Sequence, residues 1–335
     1  MENILVSVVV TCYNCEDYIT KSINSVLNQT YNNIECIVID DGSTDKSREV
    51  IRSLEEKDSR IRFYSKKNGG AGSARNLGIR KSKGEWFQVL DGDDWLHSDK
   101  IKNQINAIKQ QEIENEEYTL VYSDWRVMYE EQFKGSFKDK TFKFKPLNKD
   151  EILRTIIGRK FGFSTPIPIN VNNTLLSKNI FNKVQYNEEM PNVMDLDFFY
   201  RVLKLDCRLI YVPGVSMTYR QHSEGISKQD RRSLIGYTMY IENIMKDDKK
   251  WLKDFPNIKN MLERSILNEY DDIYQRLIHI IETTEVPVYM NVLGRDINIR
   301  SFSMYLLKRD CFLKFLKGNI VAKRKMKKMG RRFGK

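Results

Sequence analysis

Three stretches of the chain are almost wholly apolar, and each of them stops abruptly at polar residues. They cover 4–10 (ILVSVVV), 35–39 (ECIVI) and 86–90 (WFQVL). Apolar runs of this length without polar alternation are typical of strands that are covered on both faces, as in a parallel sheet. The pattern therefore predicts three buried strands in the first hundred residues.

The segments between these runs carry apolar residues at helical spacing. The first set is Ile19, Ile23, Val26 and Leu27, and the second is Val50, Ile51 and Leu54. Strands that alternate with amphipathic helices form βαβ units around a parallel sheet. We therefore predict a doubly wound α/β domain at the N-terminus.

Polar clusters follow each predicted strand, namely TCYN (11–14), DDGSTD (40–45) and DGDD (91–94). In open α/β sheets, ligands bind at the carboxyl ends of the strands. These clusters are accordingly the candidate site. In the second cluster, Ser43 and Thr44 are predicted to cap the next helix, and Asp40 is predicted to bond to nearby backbone in the turn.

The third cluster brings Asp91, Asp93 and Asp94 together around Gly92. Like charges at this density repel one another unless a cation is present. Carboxylate oxygens suit Mg²⁺ or Mn²⁺, which share their coordination between protein and substrate phosphates. A tight turn at Gly92 would let Asp91 and Asp93 face one ion. The alternative is a solvated acidic turn.

These motifs, taken in order, resemble family 2 glycosyltransferases. The resemblance rests on SVVVTCYN (7–14), IVIDDGSTD (37–45), NGGAGSARNLGI (68–79) and GEWFQVLDGDDW (84–95). It continues more weakly through 186–203 and 219–227 and so covers roughly residues 4–227. It implies a GT-A fold, which is a doubly wound, Rossmann-like mixed sheet flanked by helices, and a catalytic domain over 1–227.

The resemblance also implies roles for single residues. Thr11 and Tyr13 match positions that line the base pocket, and Asp41 matches the residue that accepts the N3–H of uracil. Arg75 matches a basic residue that meets phosphate oxygens or the acidic cluster. Asp91 and Asp93 match the DxD element, in which Asp93 binds the metal directly and Asp91 binds ribose or sugar hydroxyls or shares the metal. Asp94 stays open between a metal ligand, an orienting group and a helix cap.

The catalytic base of an inverting transfer must take the proton of the acceptor hydroxyl. In the family this base is the Asp of a Glu-Asp pair that opens a helix after the DxD strand. The matching stretch here has Met194 in the Glu position and Asp195 in the Asp position. Asp195 is therefore the predicted base, and Asp197 is the alternative.

His222 lies in YRQHSEGIS (219–227), which resembles the family segment where a His or Arg approaches the diphosphate or the metal. Imidazole is a tolerable ligand for Mn²⁺ and a poorer one for Mg²⁺. We therefore include His222 as a candidate metal ligand. The alternative is an ordinary hydrogen-bonding histidine.

The formal net charge of +11 is confined to one end of the chain. Residues 302–335 hold twelve basic side chains and a single acidic one, Asp310, so the first 301 residues are formally neutral. Apolar residues recur at helical spacing in the first part of this tail. A basic amphipathic helix with a polybasic end is typical of segments that bind an anionic membrane surface. The alternatives are a packed helix with a solvated end and a non-specific nucleic-acid patch, although we do not expect nucleic acid as the partner.

Residues 228–300 are predicted to form a helical appendage that covers the acceptor, docks a partner or forms a homo-oligomer. The aromatic residues of 124–148 are a candidate acceptor-side excursion. Asn172 stands in a formal glycosylation sequon, Asn172-Asn173-Thr174. No apolar stretch reaches the ~18–20 residues of a membrane span, and the N-terminus has no signal-peptide pattern. Five cysteines, including the pair Cys12 and Cys15, are expected to be free thiols in a reducing compartment.

These features together predict a cytoplasmic enzyme, peripheral on the inner face of the plasma membrane. It would transfer a sugar from a nucleotide sugar, most simply a UDP-sugar, to a saccharide or a lipid-linked acceptor in surface-glycan synthesis, with Mn²⁺ or Mg²⁺. One rival is a nucleotidyltransferase of similar fold, but the first turn has no basic residue before Lys21. The other rival is a non-enzymatic nucleic-acid-binding or scaffold protein that uses the basic tail.

Overall fold

The structure is a computed structural model and describes residues 4–111, 118–130, 138–157, 166–222, 230–247, 261, 271–283, 289–292 and 295–298. The strands are β1 (Val6–Cys12), β2 (Ile34–Asp40), β3 (Ile61–Ser65), β4 (Trp86–Asp91), β5 (Trp95–Leu96), β6 (Tyr118–Tyr129), β7 (Lys140–Phe142), β8 (Thr174–Ser177), β9 (Cys207–Gln221), β10 (Tyr289–Val292) and β11 (Arg295–Asn298). The helices are α1 (Ile19–Leu27), α2 (Ser47–Glu55), α3 (Gly70–Lys81), α4 (Lys100–Gln110), α5 (Lys149–Ile157), α6 (Lys178–Lys183), α7 (Met194–Lys204), α8 (Asp230–Asp247) and α9 (Asp271–Thr283).

One mixed sheet organises the first part of the chain. Its order is β3-β2-β1-β4-β8-β6-β9-β5, with β7 paired to β6. The first four strands are parallel to one another, whereas β8 runs antiparallel to both β4 and β6. The three predicted strands are therefore confirmed as β1, β2 and β4, which lie side by side. Their carboxyl ends meet at one edge of the sheet.

Every residue of β1 and of β2 is buried, as expected for strands that are covered on both faces. Helices α1 and α2 contribute Ile19, Ile23 and Ile51 to the main core. Helix α3 approaches the other face of the sheet closely. A Cβ at Gly78 would lie 2.2 Å from Cγ1 of Val9, so only glycine permits this approach.

The predicted caps of α2 are wrong. The helix begins at Ser47, and its N-cap position is Lys46, whose side chain makes no capping bond. The Oγ of Ser43 instead accepts a hydrogen bond from the backbone N–H of Asn14 at 2.9 Å. Asp45 accepts the bond from the Ser47 N–H at 3.0 Å. The loop continues past Ser43 and Thr44 to Lys46 before α2 begins. The Ser43 hydroxyl can therefore bond to Asn14 and join this loop to the segment after β1.

The chain divides into two compact units, the first of which comprises residues 1–156 and 166–228. The second comprises 157–165 and 229–335 and includes α8 and α9. Two helices lie in the middle region: Leu234, Ile241 and Ile244 are buried on α8, and Ile273 and Leu277 are buried on α9. The expected helical appendage over 228–300 is not helical throughout, because β10 and β11, which lie within this range, pair as antiparallel strands. Among the helices of the described residues, none combines the length and apolarity needed to cross a bilayer. The predicted basic tail, 302–335, lies outside the described residues.

Residues 124–148 do not form one irregular excursion. Trp125 is a buried residue of β6, and its ring centroid lies 4.5 Å from that of Phe142 on β7. Part of this segment therefore extends the sheet.

Candidate active site at the carboxyl edge of the sheet

The acidic turn after β4 is held against the end of β1. The backbone N–H of Gly92 donates to the carbonyl of Thr11 at 2.8 Å. A Cβ at Gly92 would lie 2.8 Å from the same carbonyl oxygen and 3.0 Å from Sγ of Cys15. The turn therefore requires glycine, and its tightness directs the flanking carboxylates to the edge of the sheet.

Asp91 is bound from three sides. Nη2 of Arg75 donates to Oδ1 of Asp91 at 2.8 Å, and the Thr11 hydroxyl donates to the same oxygen at 3.3 Å. The backbone N–H of Asp91 donates to Oδ1 of Asn172 at 2.9 Å. The prediction that Arg75 meets the acidic cluster is thus confirmed. Arg75 is only 5% exposed, and its Nε and Nη1 have no hydrogen-bond partner among the described residues.

Asp94 faces inward and orients its neighbours. Its Oδ1 accepts from the backbone N–H of Arg220 at 2.7 Å, and its Oδ2 accepts from Nδ2 of Asn172 at 2.6 Å. Burial raises the pKa of Asp94 well above its ordinary value, and the charges of Asp93 and Asp91 add to this effect. Of the three roles left open for Asp94, its two contacts fit that of an orienting group.

Asp93 and His222 are brought together at the same edge. Nε2 of His222 lies 2.9 Å from Oδ2 of Asp93. The His222 ring rests against Tyr18, with the two ring centroids 4.9 Å apart. Arg220 fixes the local backbone, because its Nε donates to the Asp93 carbonyl at 3.0 Å and its guanidinium lies 4.5 Å from the Tyr18 ring centroid. His222 therefore lies where a ligand bound by Asp93 would meet it.

The turn after β2 is stabilised by two carboxylates with different partners. Asp40 accepts from the Ser43 N–H at 3.0 Å and from Nε of Arg48 at 2.7 Å. Burial alone would raise the pKa of Asp40, but the bonds from Ser43 and Arg48 lower it. Asp40 is thus a turn residue, as predicted.

Asp41 binds the start of α3, with Oδ1 accepting from the Gly69 N–H at 2.9 Å and Oδ2 from the Gly70 N–H at 2.7 Å.

Asp41 is 4% exposed, and Nζ of Lys66 adds a third bond at 2.8 Å. Among the described residues, Oδ2 of Asp41 accepts one hydrogen bond, from the Gly70 N–H, so it retains a lone pair that can accept a base N–H. Thr11 is also buried. Tyr13, in contrast, is 45% exposed and leaves a ring free to stack on a base.

Asp195 lies in the first turn of α7. Burial lowers the pKa of the Arg75 guanidinium, but Asp91, then Tyr186 and finally Asp195 raise it above its ordinary value. The two residues before the helix, Asn192 and Val193, have φ of 55° and 57°. A β-branched residue rarely adopts this left-handed conformation, and such backbone strain clusters at functional sites. Asp195 is half-buried and remains accessible.

Asp197, the alternative base, is paired with a different arginine, Arg201. It is fully buried, and its Oδ2 accepts from Nε and Nη2 of Arg201 at 2.9 and 2.7 Å. Both bonds reach the same carboxylate oxygen, and the burial of Asp197 denies an acceptor hydroxyl access to it. The contacts therefore favour Asp195 over Asp197.

The cysteine prediction is partly wrong. The structure joins Cys12 and Cys15 in a disulfide, whereas Cys36 and Cys207 are free thiols as expected. The chain brings the two sulfurs together because β1 ends at Cys12 and the loop folds back to α1. The disulfide is adjacent to the acidic turn, because a Cβ at Gly92 would lie 3.0 Å from Sγ of Cys15.

A divalent metal would find few protein ligands here. Within the described ranges, no group of three or more His, Cys, Asp and Glu side chains converges as a closed metal site. Mg²⁺ and Mn²⁺ in nucleotide enzymes are commonly held by one or two carboxylates, with substrate phosphates and water completing the shell. Asp93, with His222 beside it, fits this open arrangement. The unpartnered nitrogens of Arg75 fit anionic or hydroxyl oxygens of a ligand.

Sequence reasoning missed three residues at this edge. Asn172 was noted only as a sequon, yet it bonds to both Asp91 and Asp94. Arg220 adjoins His222 in the chain but gave no signal of its own. Tyr186 is the first residue of the 186–203 match. An aromatic residue shortly before a helix with two acidic residues in its first turn could have identified it as a candidate.

Comparisons with known proteins agree with this arrangement. The model of the family "Glycosyl transferase family 2" matches residues 7–165. An uncharacterized glycosyltransferase of Haemophilus influenzae is 32% identical over 232 residues, which cover 68% of this chain and 69% of that protein. The chain spans only 31% to 43% of the length of four other glycosyltransferases from Haemophilus influenzae and Rickettsia species.

Solved structures show the same fold. Staphylococcus aureus TarS residues 1–349, in complex with UDP-GlcNAc, superposes with a TM-score of 0.65 at 15% identity and covers 96% of this chain and 92% of that one. The mannosyltransferase PcManGT of Pyrobaculum calidifontis, in complex with GDP-Man and Mn²⁺, has a TM-score of 0.53 at 13% identity and covers 96% of this chain and 86% of that one. The predicted GT-A fold is confirmed, and the chain belongs to glycosyltransferase family 2.

Proposed function

We propose that the protein is a metal-dependent inverting glycosyltransferase that moves a sugar from a nucleotide sugar to a saccharide or lipid-linked acceptor. The observation that carries this proposal is the placement of Arg75. It is ion-paired with Asp91 of the acidic turn, and it is close enough to Asp195 on α7 to sense its charge. This ion pair and this electrostatic effect support the proposal that the groups for the donor and for the acceptor proton act at one site.

The donor is proposed to be a UDP-sugar. The resemblance assigns Thr11, Tyr13 and Asp41 to the base, and the TarS structure was solved with UDP-GlcNAc. The exposed ring of Tyr13 supports this role, because an aromatic face can stack on uracil. The lone pair on Oδ2 of Asp41 supports acceptance of the N3–H.

Asp93 and His222 are proposed to hold the metal, with Asp91 binding ribose or sugar hydroxyls or sharing the ion. When bound, a divalent cation neutralises charge on the departing diphosphate. An imidazole beside the carboxylate suits Mn²⁺ better than Mg²⁺, and PcManGT was solved with Mn²⁺. Arg75 would add a fixed positive charge at the same edge.

Asp195 is proposed as the base. It would accept the proton of the acceptor hydroxyl as that oxygen attacks the anomeric carbon. The ion pair of Asp197 with Arg201 removes the nearest competing carboxylate. The left-handed backbone at Val193, directly before this turn, supports a functional role for it.

The remaining assignments rest on sequence. We propose a GT-A domain over 1–227, an appendage over 228–300 that holds α8, α9 and the paired strands β10 and β11, and a basic tail over 301–335 that binds anionic lipid on the inner face of the plasma membrane. A lipid-linked acceptor and a role in surface-glycan synthesis fit this location. The appendage remains a candidate surface for a homo-oligomer.

The test is a screen of UDP-, GDP- and TDP-sugars for donor hydrolysis by the purified chain, with Mn²⁺, with Mg²⁺ and with EDTA. The proposal expects one or a few nucleotide sugars to be hydrolysed, and EDTA to stop the reaction. Hydrolysis that is indifferent to EDTA would overturn the metal dependence. Absence of hydrolysis and of binding for every nucleotide sugar would overturn the function.

A further inference from the structure

A buried tyrosine hydroxyl lies beside the proposed reacting centre without a partner. Tyr186 is 3% exposed, and its Oη has no hydrogen-bond partner among the described residues. A hydroxyl that is buried without a hydrogen bond is unfavourable, and such groups are rare in folded proteins. Phenylalanine would fill the same space without this penalty. The hydroxyl therefore needs another explanation.

The ring of Tyr186 is fixed by packing. It stacks on Phe198 of α7 with centroids 4.1 Å apart and planes inclined by 15°. Its own backbone N–H donates to Oδ1 of Asn76 on α3 at 2.9 Å. A Cβ at Gly72, on the same face of α3, would lie 3.5 Å from Cβ of Tyr186. The hydroxyl is therefore held in one place between α3 and α7.

The charged groups around this ring are those of the proposed active site. The guanidinium carbon of Arg75 lies 5.3 Å from the ring centroid. Burial raises the pKa of Tyr186, the charge of Arg75 opposes this effect, and the charge of Asp195 adds to it. The hydroxyl thus stays protonated at neutral pH and can both donate and accept a hydrogen bond.

The guanidinium of Arg75 also has buried polar atoms without a hydrogen-bond partner among the described residues. Nη2 of Arg75 is bonded to Asp91, but Nε and Nη1 are buried and have no partner within the described ranges. Two unpartnered guanidinium donors and one unpartnered hydroxyl thus belong to side chains in mutual contact. A neutral polyol with several hydroxyl groups can satisfy such a set, because each hydroxyl both accepts and donates.

We infer that Tyr186 and Arg75 form a subsite for hydroxyl groups of the transferred sugar, with Tyr186 acting as a specificity-determining residue. This inference rests on the proposed function. Arg75 contacts both Asp91 and the Tyr186 ring, which places the unpartnered groups next to the acidic turn proposed to bind the donor, and this supports the assignment to the sugar. The base is proposed to bind Thr11, Tyr13 and Asp41, so the UDP part of the donor has no proposed contact with Tyr186.

The test compares UDP with UDP-sugars in the variant Tyr186→Phe. UDP-GlcNAc, UDP-glucose and UDP-galactose are titrated by calorimetry with Mn²⁺, and the tightest of them is used throughout. The variant should bind UDP as the parent does and bind the UDP-sugar about tenfold more weakly, the factor for one hydrogen bond to a neutral group. Its Tm should not fall, because the lost hydroxyl has no protein partner.

Tyr31→Phe is the matched control. The Tyr31 hydroxyl donates to the carbonyl of Ile4 at 2.5 Å, just before the amino end of β1, whereas the site lies at the carboxyl end of that strand. This variant should therefore lose stability and keep its preference for the UDP-sugar. Equal binding of the UDP-sugar by the parent and Tyr186→Phe would overturn the inference. An equal loss of affinity for UDP and for the UDP-sugar in Tyr186→Phe would also overturn it. The same holds if the parent binds UDP but none of the three UDP-sugars. A parent that binds no nucleotide at all would instead refute the proposed function, and the inference would fall with it.

Discussion

Nε2 of His222 lies 2.9 Å from Oδ2 of Asp93, although 129 positions separate the two residues. The contact joins the end of β9 to the acidic turn after β4. It is reinforced by Arg220, whose backbone and side chain both bond to the same turn. One short segment thus adds to an edge that is built from the first hundred residues and Asn172.

The first prediction concerns the base. Asp195→Asn keeps the size of the side chain but cannot take a proton at neutral pH, so transfer should fall by roughly 10²–10⁴-fold while donor binding survives. Single-turnover transfer and UDP calorimetry measure the two quantities. Asp197→Asn is the matched comparison, and it should act on stability because Asp197 is paired with Arg201. Near-normal transfer by Asp195→Asn and loss by Asp197→Asn would move the base to Asp197.

The second prediction concerns Asn172. Its side chain bonds to the backbone N–H of Asp91 and to the carboxylate of Asp94. Asn172→Ala should lower the free energy of unfolding by about 1–3 kcal/mol, since buried partners lose their bonds. It should also weaken Mn²⁺-dependent UDP binding, because the acidic turn loses its support. Urea unfolding and calorimetry check both effects.

Asn103, an exposed asparagine on α4, provides the control, and Asn103→Ala should leave both quantities unchanged. Unaltered UDP affinity in Asn172→Ala would show that the turn holds its geometry without this side chain.

The third prediction uses the buried Lys100, whose Nζ donates to Gln88 and to Gln104, the latter at 2.8 Å. Burial lowers the pKa of Lys100 well below its ordinary value of 10.5. Between the folded and unfolded pKa values, the unfolded chain binds more protons, so this group makes stability rise with pH up to its unfolded pKa. That contribution is lost again as pH falls.

Lys100→Met removes the titrating group. Urea unfolding of parent and variant at pH 7, 8, 9 and 10 should therefore show the parent gaining stability relative to the variant as the pH rises. Lys102→Met, at an exposed position of the same helix, should follow the parent. Parallel curves for the parent and Lys100→Met would contradict the prediction.

The strands of the site could be predicted from sequence because β1, β2 and β4 are buried on both faces and so carry uninterrupted apolar runs. Asp91 and Asp93 stood out for the same local reason, as charges at the end of such a run. Asn172 and Arg220 could not be found in this way. Their bonds to Asp94 span 78 and 126 positions, and nothing in their local sequence encodes those partners.

The prediction of the α2 caps was wrong for a related reason. Ser43 has the residue type of a cap, but its hydroxyl is used by the backbone N–H of Asn14 in a neighbouring loop. Local propensity could not anticipate this competing contact. The disulfide of Cys12 with Cys15 was likewise missed, because the composition alone pointed to free thiols.

The fourth prediction concerns the tail, 302–335. Full-length protein should sediment with vesicles that contain phosphatidylglycerol and not with neutral phosphatidylcholine vesicles, and salt should weaken the binding by screening the charges. Deletion of 302–335 should release the protein and leave donor hydrolysis intact, because the proposed catalytic residues all precede 228. Equal binding to both vesicle types would exclude the membrane role. Salt-sensitive binding to DNA, with indifference to lipid, would favour a nucleic-acid patch.

The central claim is that the acidic turn binds a metal-nucleotide complex, and UDP calorimetry of Asp93→Ala with and without Mn²⁺ tests it most directly. In the parent, Mn²⁺ should strengthen UDP binding by ~10-fold or more, since a cation on the diphosphate is worth several kcal/mol. In Asp93→Ala this gain should vanish while cooperative unfolding persists. Asp150→Ala, at an exposed carboxylate on α5, should behave as the parent does. An undiminished Mn²⁺-dependent gain in Asp93→Ala would contradict the account.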